Sequence, residues 1–136
     1  MTHQPQSLLV TGGAGFIGAN FVHYWMQRYP AQRVTVLDAL TYAGNIENLA
    51  SLREQPHFRF VQGDIRDFDT IAQALRDDAV DTIVHFAAES HVDRSILGPE
   101  RFLETNVMGT FHLLEASRRT WTEENRPADF RFLHIS

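Results

Sequence analysis

Gly12, Gly15 and Gly18 stand at intervals of three directly behind an apolar run, Leu8-Leu9-Val10. An ordinary tight turn between a strand and a helix needs one such residue, or two. The longer pattern Gly12-Gly13-Ala14-Gly15-Phe16-Ile17-Gly18 suits a backbone that passes close to a pyrophosphate, where a Cβ would collide. A helix opening behind that turn offers unpaired N–H groups and a partial positive charge to the same anion. Gly12 and Gly15 fit the turn and the close approach, and Gly18 fits packing of helix on sheet. Asp38 lies twenty residues beyond Gly18, where a carboxylate can accept hydrogen bonds from both ribose hydroxyls of a dinucleotide. Its charge repels a 2′-phosphate, which favours NAD over NADP. A surface aspartate closing a strand is the plainer alternative.

Two further stretches carry polar chemistry. Asp64-Ile65 ends a predicted strand and could hydrogen-bond and flank an adenine; an acid after Gly63 is also ordinary turn chemistry. The richest stretch is Phe86-Ala87-Ala88-Glu89-Ser90-His91-Val92-Asp93-Arg94-Ser95. The small residues Ala87 and Ala88 would let a dinucleotide pass over the sheet edge, leaving Ser90, His91, Asp93 and Arg94 to face a substrate. His91 and Asp93 could equally be plain loop residues. Neighbours in sequence do not make a Ser-His-Asp triad, and no nucleophile elbow is evident. Tyr24 and Arg28 have the spacing of a Tyr-x-x-x-Lys pair, but arginine keeps its proton and cannot tune a tyrosine as lysine does. His85, inside an apolar strand, reads as a packed core histidine. The seven histidines lack metal-ligand spacing, so no metal is expected.

The elements that must hold these groups alternate strand and helix. Strands are expected over 7–10, 33–37, 57–62, 82–86 and 130–135. Helices are expected over 15–28, 46–53, 68–76 and 99–119, with Asp67 as an N-cap. Phe16, Ile17, Phe21, Val22 and Trp25 recur at helical spacing, enough to lie against a sheet. The near-continuous apolar run Thr82 to Phe86 suits a strand buried on both faces. Such alternation implies an α/β fold: a doubly wound parallel sheet with right-handed crossovers, ending after the fifth strand. Ligand loops then lie at the carboxyl ends of the strands.

The whole chain has 136 residues, 43% apolar and 21% charged, with a net charge of −5. That size suits one domain with a sizeable core. The negative charge argues against nucleic acid and anionic membranes as partners. No run is long enough to span a bilayer, and residues 1–6 do not read as a signal peptide. Without cysteine there is neither disulfide nor thiolate site, and a cytoplasmic protein fits best. All twelve basic residues are arginine, so chemistry that requires lysine is beyond this polypeptide alone.

With these pieces placed, the chain resembles the extended short-chain dehydrogenase/reductases and, more narrowly, the dTDP-glucose 4,6-dehydratase family. The broader likeness rests on Thr11 to Gly18 and Asp38. The narrower one rests on Leu40-Thr41-Tyr42-Ala43-Gly44-Asn45, on Ala87-Ala88-Glu89-Ser90-His91-Val92-Asp93-Arg94-Ser95-Ile96, and on Thr105-Asn106-Val107-Met108-Gly109-Thr110. The resemblance implies that Phe16 and Ile17 lie beside the NAD pyrophosphate. Asp38, Ala39, Leu40 and Thr41 would surround the adenosine ribose, and Asp64 and Ile65 the adenine. Phe86, Ala87, Ala88, Glu89, Ser90 and Thr105 would line the path to the nicotinamide. Ser90 and His91 would also touch the sugar nucleotide, dTDP-glucose.

The family reaction, which serves deoxysugar biosynthesis, moves hydride from glucose C4 to NAD. It then eliminates water across C5–C6 and returns the hydride to C6. His134-Ile135-Ser136 matches the lead-in to the family's Ser-Thr-Asp-Glu-Val-Tyr-Gly segment. The catalytic threonine, acid/base pair and Tyr-x-x-x-Lys are therefore expected beyond residue 136, together with the substrate-binding portion. Residues 1–136 would form an NAD-binding domain with no catalytic residue, inactive alone. Family members form homodimers through a four-helix bundle, to which the helix from Pro99 would contribute; alone, that helix is expected to expose apolar surface. A nucleotide-sugar 4-epimerase fragment and a non-catalytic nucleotide-binding module are the alternatives.

Overall fold

Short apolar strands between amphipathic helices have two faces to bury. In the computed structural model, which describes residues 2–41, 44–87, 99–123 and 129–135, they do so in one five-stranded sheet of order β3-β2-β1-β4-β5. The strands are β1 (Ser7–Thr11), β2 (Arg33–Asp38), β3 (Phe58–Gln62), β4 (Thr82–His85) and β5 (Arg131–His134). Every pairing is parallel. Between them lie α1 (Phe16–Arg28), a 3₁₀ segment (Ile46–Leu52) and α2 (Phe68–Asp77). A long helical stretch follows: α3 (Pro99–Leu103), a π segment (Glu104–Gly109) and α4 (Thr110–Glu123). The chain works outward from β1 to β3, then returns to place β4 on the other side of β1. Ligand crevices of doubly wound sheets open at such a reversal, beyond the carboxyl ends of the strands.

Period-two alternation divides the core between the two faces. Leu8, Val10, Val34, Val36 and Val84 pack with Ala19, Val22 and Met26 of α1 and with Leu49 and Leu52 of the 3₁₀ segment. Leu9, Leu37 and Ile83 pack the other way, against Ile71, Ala74 and Leu75 of α2 and Leu113 and Ala116 of α4. Leu113 is fully buried, so trimming it to alanine costs about 2–5 kcal/mol. At the amino ends of the strands, buried acids replace apolar contacts. Asp78 accepts from Thr35 Oγ1 at 2.7 Å and Arg59 Nε at 3.0 Å. Asp81 accepts from the Gln6 amide at 2.9 Å. Both tie neighbouring strands together at the end of the sheet away from the crevice. No helix among the described residues is long and apolar enough to cross a membrane.

The expected doubly wound sheet is observed, and Asp67 caps α2 by accepting from the Thr70 amide. Thr70 also donates its hydroxyl at 2.7 Å, and this pair holds the exposed Asp67 carboxyl below its usual range. Two expectations need correction. The inward face of α1 is Gly18, Ala19, Val22 and Met26, with Phe21 and Trp25 packed at its margin. Phe16 and Ile17 do not lie against the sheet; they are 82% and 67% exposed. Gly18 sets this rotation, because it must face the turn. The expected single helix from Pro99 is interrupted by the π segment, where β-branched and glycine residues give little helical propensity to resist the extra residue.

Candidate functional site

The turn after β1 is built by its glycines. Gly12 has φ +71°, a left-handed conformation that other residues adopt at a cost. A Cβ there would stand 2.6 Å from the backbone nitrogen of Ala87. Gly12 is thus needed twice, for its own backbone angle and for the close passage of the β4 exit. A Cβ on Gly18 would strike the Gly12 carbonyl oxygen and lie 2.9 Å from the Gly13 Cα. Its closest neighbour is therefore the turn, not the sheet as its spacing suggested. Gly15 is the N-cap of α1 and supplies no side-chain cap, and the first turn of α1 carries no acid. The unpaired amides of that turn remain available to an anion.

Asp38 closes β2 and is 9% exposed. Its Oδ2 accepts from the Ala14 amide at 2.9 Å and its Oδ1 from the Leu40 amide at 2.8 Å. One carboxylate thereby braces both the glycine turn and the chain leaving β2. Each oxygen retains a lone pair for a further donor. Leu40 sits at φ +56°, an unusual angle for leucine, held by that hydrogen bond. Its side chain packs with the α1-side core, so only its backbone belongs to the site.

An open cleft of about 600 Å³, including space continuous with solvent, lies over these groups. Of the residues expected at a site, Gly12, Asp38, Ala39, Thr41, Asp64, Ile65, Phe86, Ala87 and Thr105 line it. Gly15, Phe16, Ile17, Gly18 and Leu40 are not among the lining residues. Phe16 and Ile17 instead stand exposed on the first turn of α1. Ala88, Glu89, Ser90 and His91 lie outside the described residues, as do Tyr42 and Ala43.

Sequence reasoning missed Arg66, which also lines the cleft. Asp64 folds into an Asx turn, its Oδ1 accepting from the Arg66 amide at 2.8 Å. Its Oδ2 accepts from Arg66 Nε at 3.0 Å and Nη2 at 2.7 Å. The same guanidinium reaches Glu104 at 3.1 Å on the π segment. Bonding to Asp64, more than to Glu104, raises the arginine pKa further above its normal value. The available signal was the basic residue two places after the acid in Asp64-Ile65-Arg66. Its reach to Glu104 spans 38 positions and was not available.

Below the cleft floor, Thr11 of β1 and His85 of β4 are opposed across the sheet and joined at 2.6 Å from Oγ1 to Nδ1. His85 Nε2 meets Thr110 Oγ1 at 2.9 Å. The expectation of a core histidine holds: His85 is 1% exposed. Burial, with a smaller contribution from His134, lowers its pKa to about 4.

Chemically, the cleft presents a glycine-floored turn and an oriented carboxylate at the carboxyl ends of parallel strands, and that turn runs on into the uncapped start of α1. Comparison with known proteins points the same way. A family model described as GDP-mannose 4,6 dehydratase matches residues 9–136. The dTDP-glucose 4,6-dehydratase of Mycobacterium tuberculosis is 57% identical over 112 residues, covering 82% of this chain and 33% of that protein. The crystal structure of a Streptomyces venezuelae dTDP-glucose 4,6-dehydratase with NAD bound superposes with a TM-score of 0.76 and 58% identity. That match covers 82% of this chain and 35% of the other. The Thermus thermophilus UDP-glucose 4-epimerase complex with NAD gives a TM-score of 0.73 and 35% identity, over 84% of this chain and 34% of the other. The chain spans about a third of the length of the curated relatives it matches.

Proposed function

The chain belongs to the family described as GDP-mannose 4,6 dehydratase, and from that premise we propose that it is the NAD-binding portion of a dTDP-glucose 4,6-dehydratase. The observation that carries the cofactor reading is the Asp38 carboxylate, fixed by two backbone amides beside a turn whose Gly12 leaves no room for a side chain. Two ribose hydroxyls can donate to its remaining lone pairs, while a 2′-phosphate would meet its charge. The uncapped amides of α1 suit the pyrophosphate, with Phe16 and Ile17 of that first turn beside it. Asp64, held by Arg66, and Ile65 suit the adenine. Phe86, Ala87 and Thr105 line the cleft beyond. The proposal assigns Ala88, Glu89 and Ser90 to the nicotinamide, and Ser90 and His91 to the sugar nucleotide, these four lying outside the described residues.

When bound, NAD supplies a reversible hydride acceptor. Within this reading the described residues bind and orient. The 136 residues include no lysine, so they do not themselves supply a tyrosine–lysine dyad. The higher identity to dehydratases than to the epimerase supports dTDP-glucose as the substrate of the whole protein over a 4-epimerase reaction.

A homodimer belongs to the same proposal. Leu103, Val107, Phe111 and Leu114 follow at intervals of four, four and three and are 49–58% exposed, an apolar stripe of the kind helices bury against one another. A cytoplasmic location is also proposed, in keeping with a cysteine-free composition. Calorimetry of the folded chain with NAD and NADP tests the cofactor reading. We expect NAD to bind more tightly; a chain that is folded by circular dichroism yet binds no NAD refutes it.

A further inference from the structure

Hydroxyl hydrogens are not free variables in the cluster beneath the cleft. Thr110 Oγ1 lies 2.9 Å from the Asn106 carbonyl oxygen. A carbonyl has no hydrogen to give, so the single Thr110 hydroxyl proton points there. Thr110 Oγ1 can then only accept from His85 Nε2, which must carry a proton. On the other side, the Ala87 amide donates to Thr11 Oγ1 at 3.3 Å. With His85 neutral, its Nδ1 is an acceptor and the Thr11 hydroxyl donates to it. Direction is thus defined throughout, from the Ala87 amide through Thr11 to His85 Nδ1, and from His85 Nε2 through Thr110 to the Asn106 carbonyl.

One end of this chain lines the cleft and the other lies next to a residue that does. Ala87 lines it and passes over Gly12; Thr105, next to Asn106, lines it from the π segment. We infer that His85 is a positioning residue, held as the neutral Nε2–H tautomer, whose two hydrogen bonds set the separation between the β4 exit at Ala87 and the π turn at Thr105 and Asn106. Besides Thr11 and Thr110, the ring faces Phe132 and a stacked His134 at 5.0 Å between centroids; of these only His134 titrates. The low pKa caused by burial keeps the ring neutral at ordinary pH. The π segment follows from the same contact, since the Thr110 hydroxyl takes up a carbonyl one turn earlier at the point where the helix must meet His85. The proton on Nε2 stands on the geometry, and the bare Nδ1 on the burial that keeps the ring neutral; the consequence for cofactor binding rests on the function proposed above.

Three measurements on the intact chain test this. Long-range ¹H–¹⁵N NMR should find His85 neutral and protonated on Nε2 at pH 7; an Nδ1–H tautomer or an imidazolium overturns the inference. Amide exchange at Ala87 should accelerate about tenfold in Thr110→Val, which removes the hydroxyl, and stay within about twofold in Thr110→Ser, which keeps it. Equal exchange in both variants overturns the coupling. NAD affinity should follow the same split, about tenfold weaker for Thr110→Val, and should be unchanged in Ile71→Val, a core substitution on α2 that controls for lost stability. Equal NAD affinity in the two Thr110 variants overturns the role in the cleft. If the unsubstituted chain binds no NAD, the proposed function fails, and the first two measurements still decide the positioning role.

Discussion

Replacing Asp38 with alanine removes the acceptor for two backbone amides and, in the proposed complex, for two ribose hydroxyls. The Ala14 and Leu40 amides sit 2.9 and 2.8 Å from the carboxylate, and Ala14 is fully buried. Leaving a buried donor unpaired costs about 1–3 kcal/mol. Leu40 also loses the bond that holds its left-handed backbone. A total near 3 kcal/mol is expected, lowering Tm by roughly 10 °C for a domain of this size. Two hydrogen bonds to a charged acceptor are worth about 3 kcal/mol together after exchange with water, so NAD should bind about a hundredfold more weakly. NADP, which the carboxylate repels, should lose much less. The NAD/NADP ratio is the decisive quantity, because general damage to the turn cancels in it. Calorimetry with both cofactors, at a temperature where circular dichroism shows the variant folded, gives that ratio. An equal loss for NAD and NADP would refute the assignment of Asp38 to the ribose and leave it a brace for the turn.

Gly12→Ala should abolish NAD binding and destabilise the fold by about 2–4 kcal/mol, because it adds a left-handed alanine to a 2.6 Å collision with Ala87 backbone; urea unfolding and calorimetry check both. Arg66→Ala frees the Asp64 carboxylate from its guanidinium and cuts the link to Glu104; NAD affinity should fall about three- to tenfold with little change in Tm, and an unchanged affinity would remove Asp64 from the adenine site. The folded chain holds His85 near pKa 4 against an ordinary 6.5, so the unfolded state binds the proton first. Stability from this group is intact above about pH 6.5 and is lost as pH falls toward 4, by about 3 kcal/mol. His85→Gln should flatten that part of the urea-midpoint profile, and an unchanged slope would contradict it. Val107→Glu with Phe111→Glu should reduce self-association in sedimentation and the binding of hydrophobic dyes; a parent chain that is monomeric and binds no such dye would rule out the stripe as a docking surface.

Local pattern carried much of this protein. Period-two apolar runs, β-branched strands and the Asp67 cap are encoded within a few residues, so the parallel sheet and its element order could be read directly. The glycine interval was legible because a turn over which another strand's backbone passes closely imposes steric demands at fixed offsets along the chain. Residues brought together across the sheet were not. Thr11 and His85 are 74 positions apart, and His85 and Thr110 are 25 apart; only the β1–β4 register and the seating of α4 make them one chain of hydrogen bonds. The outward turn of Phe16 and Ile17 followed from Gly18 having to face the Gly12 carbonyl, which helical periodicity does not contain. The π segment likewise takes its place from a contact with another element, which the weak helical propensity of its own residues permits but does not specify. Short-range sterics and alternation thus determined the frame and the turn, while the Arg66 link and the His85 bridge depend on packing between elements distant in the chain.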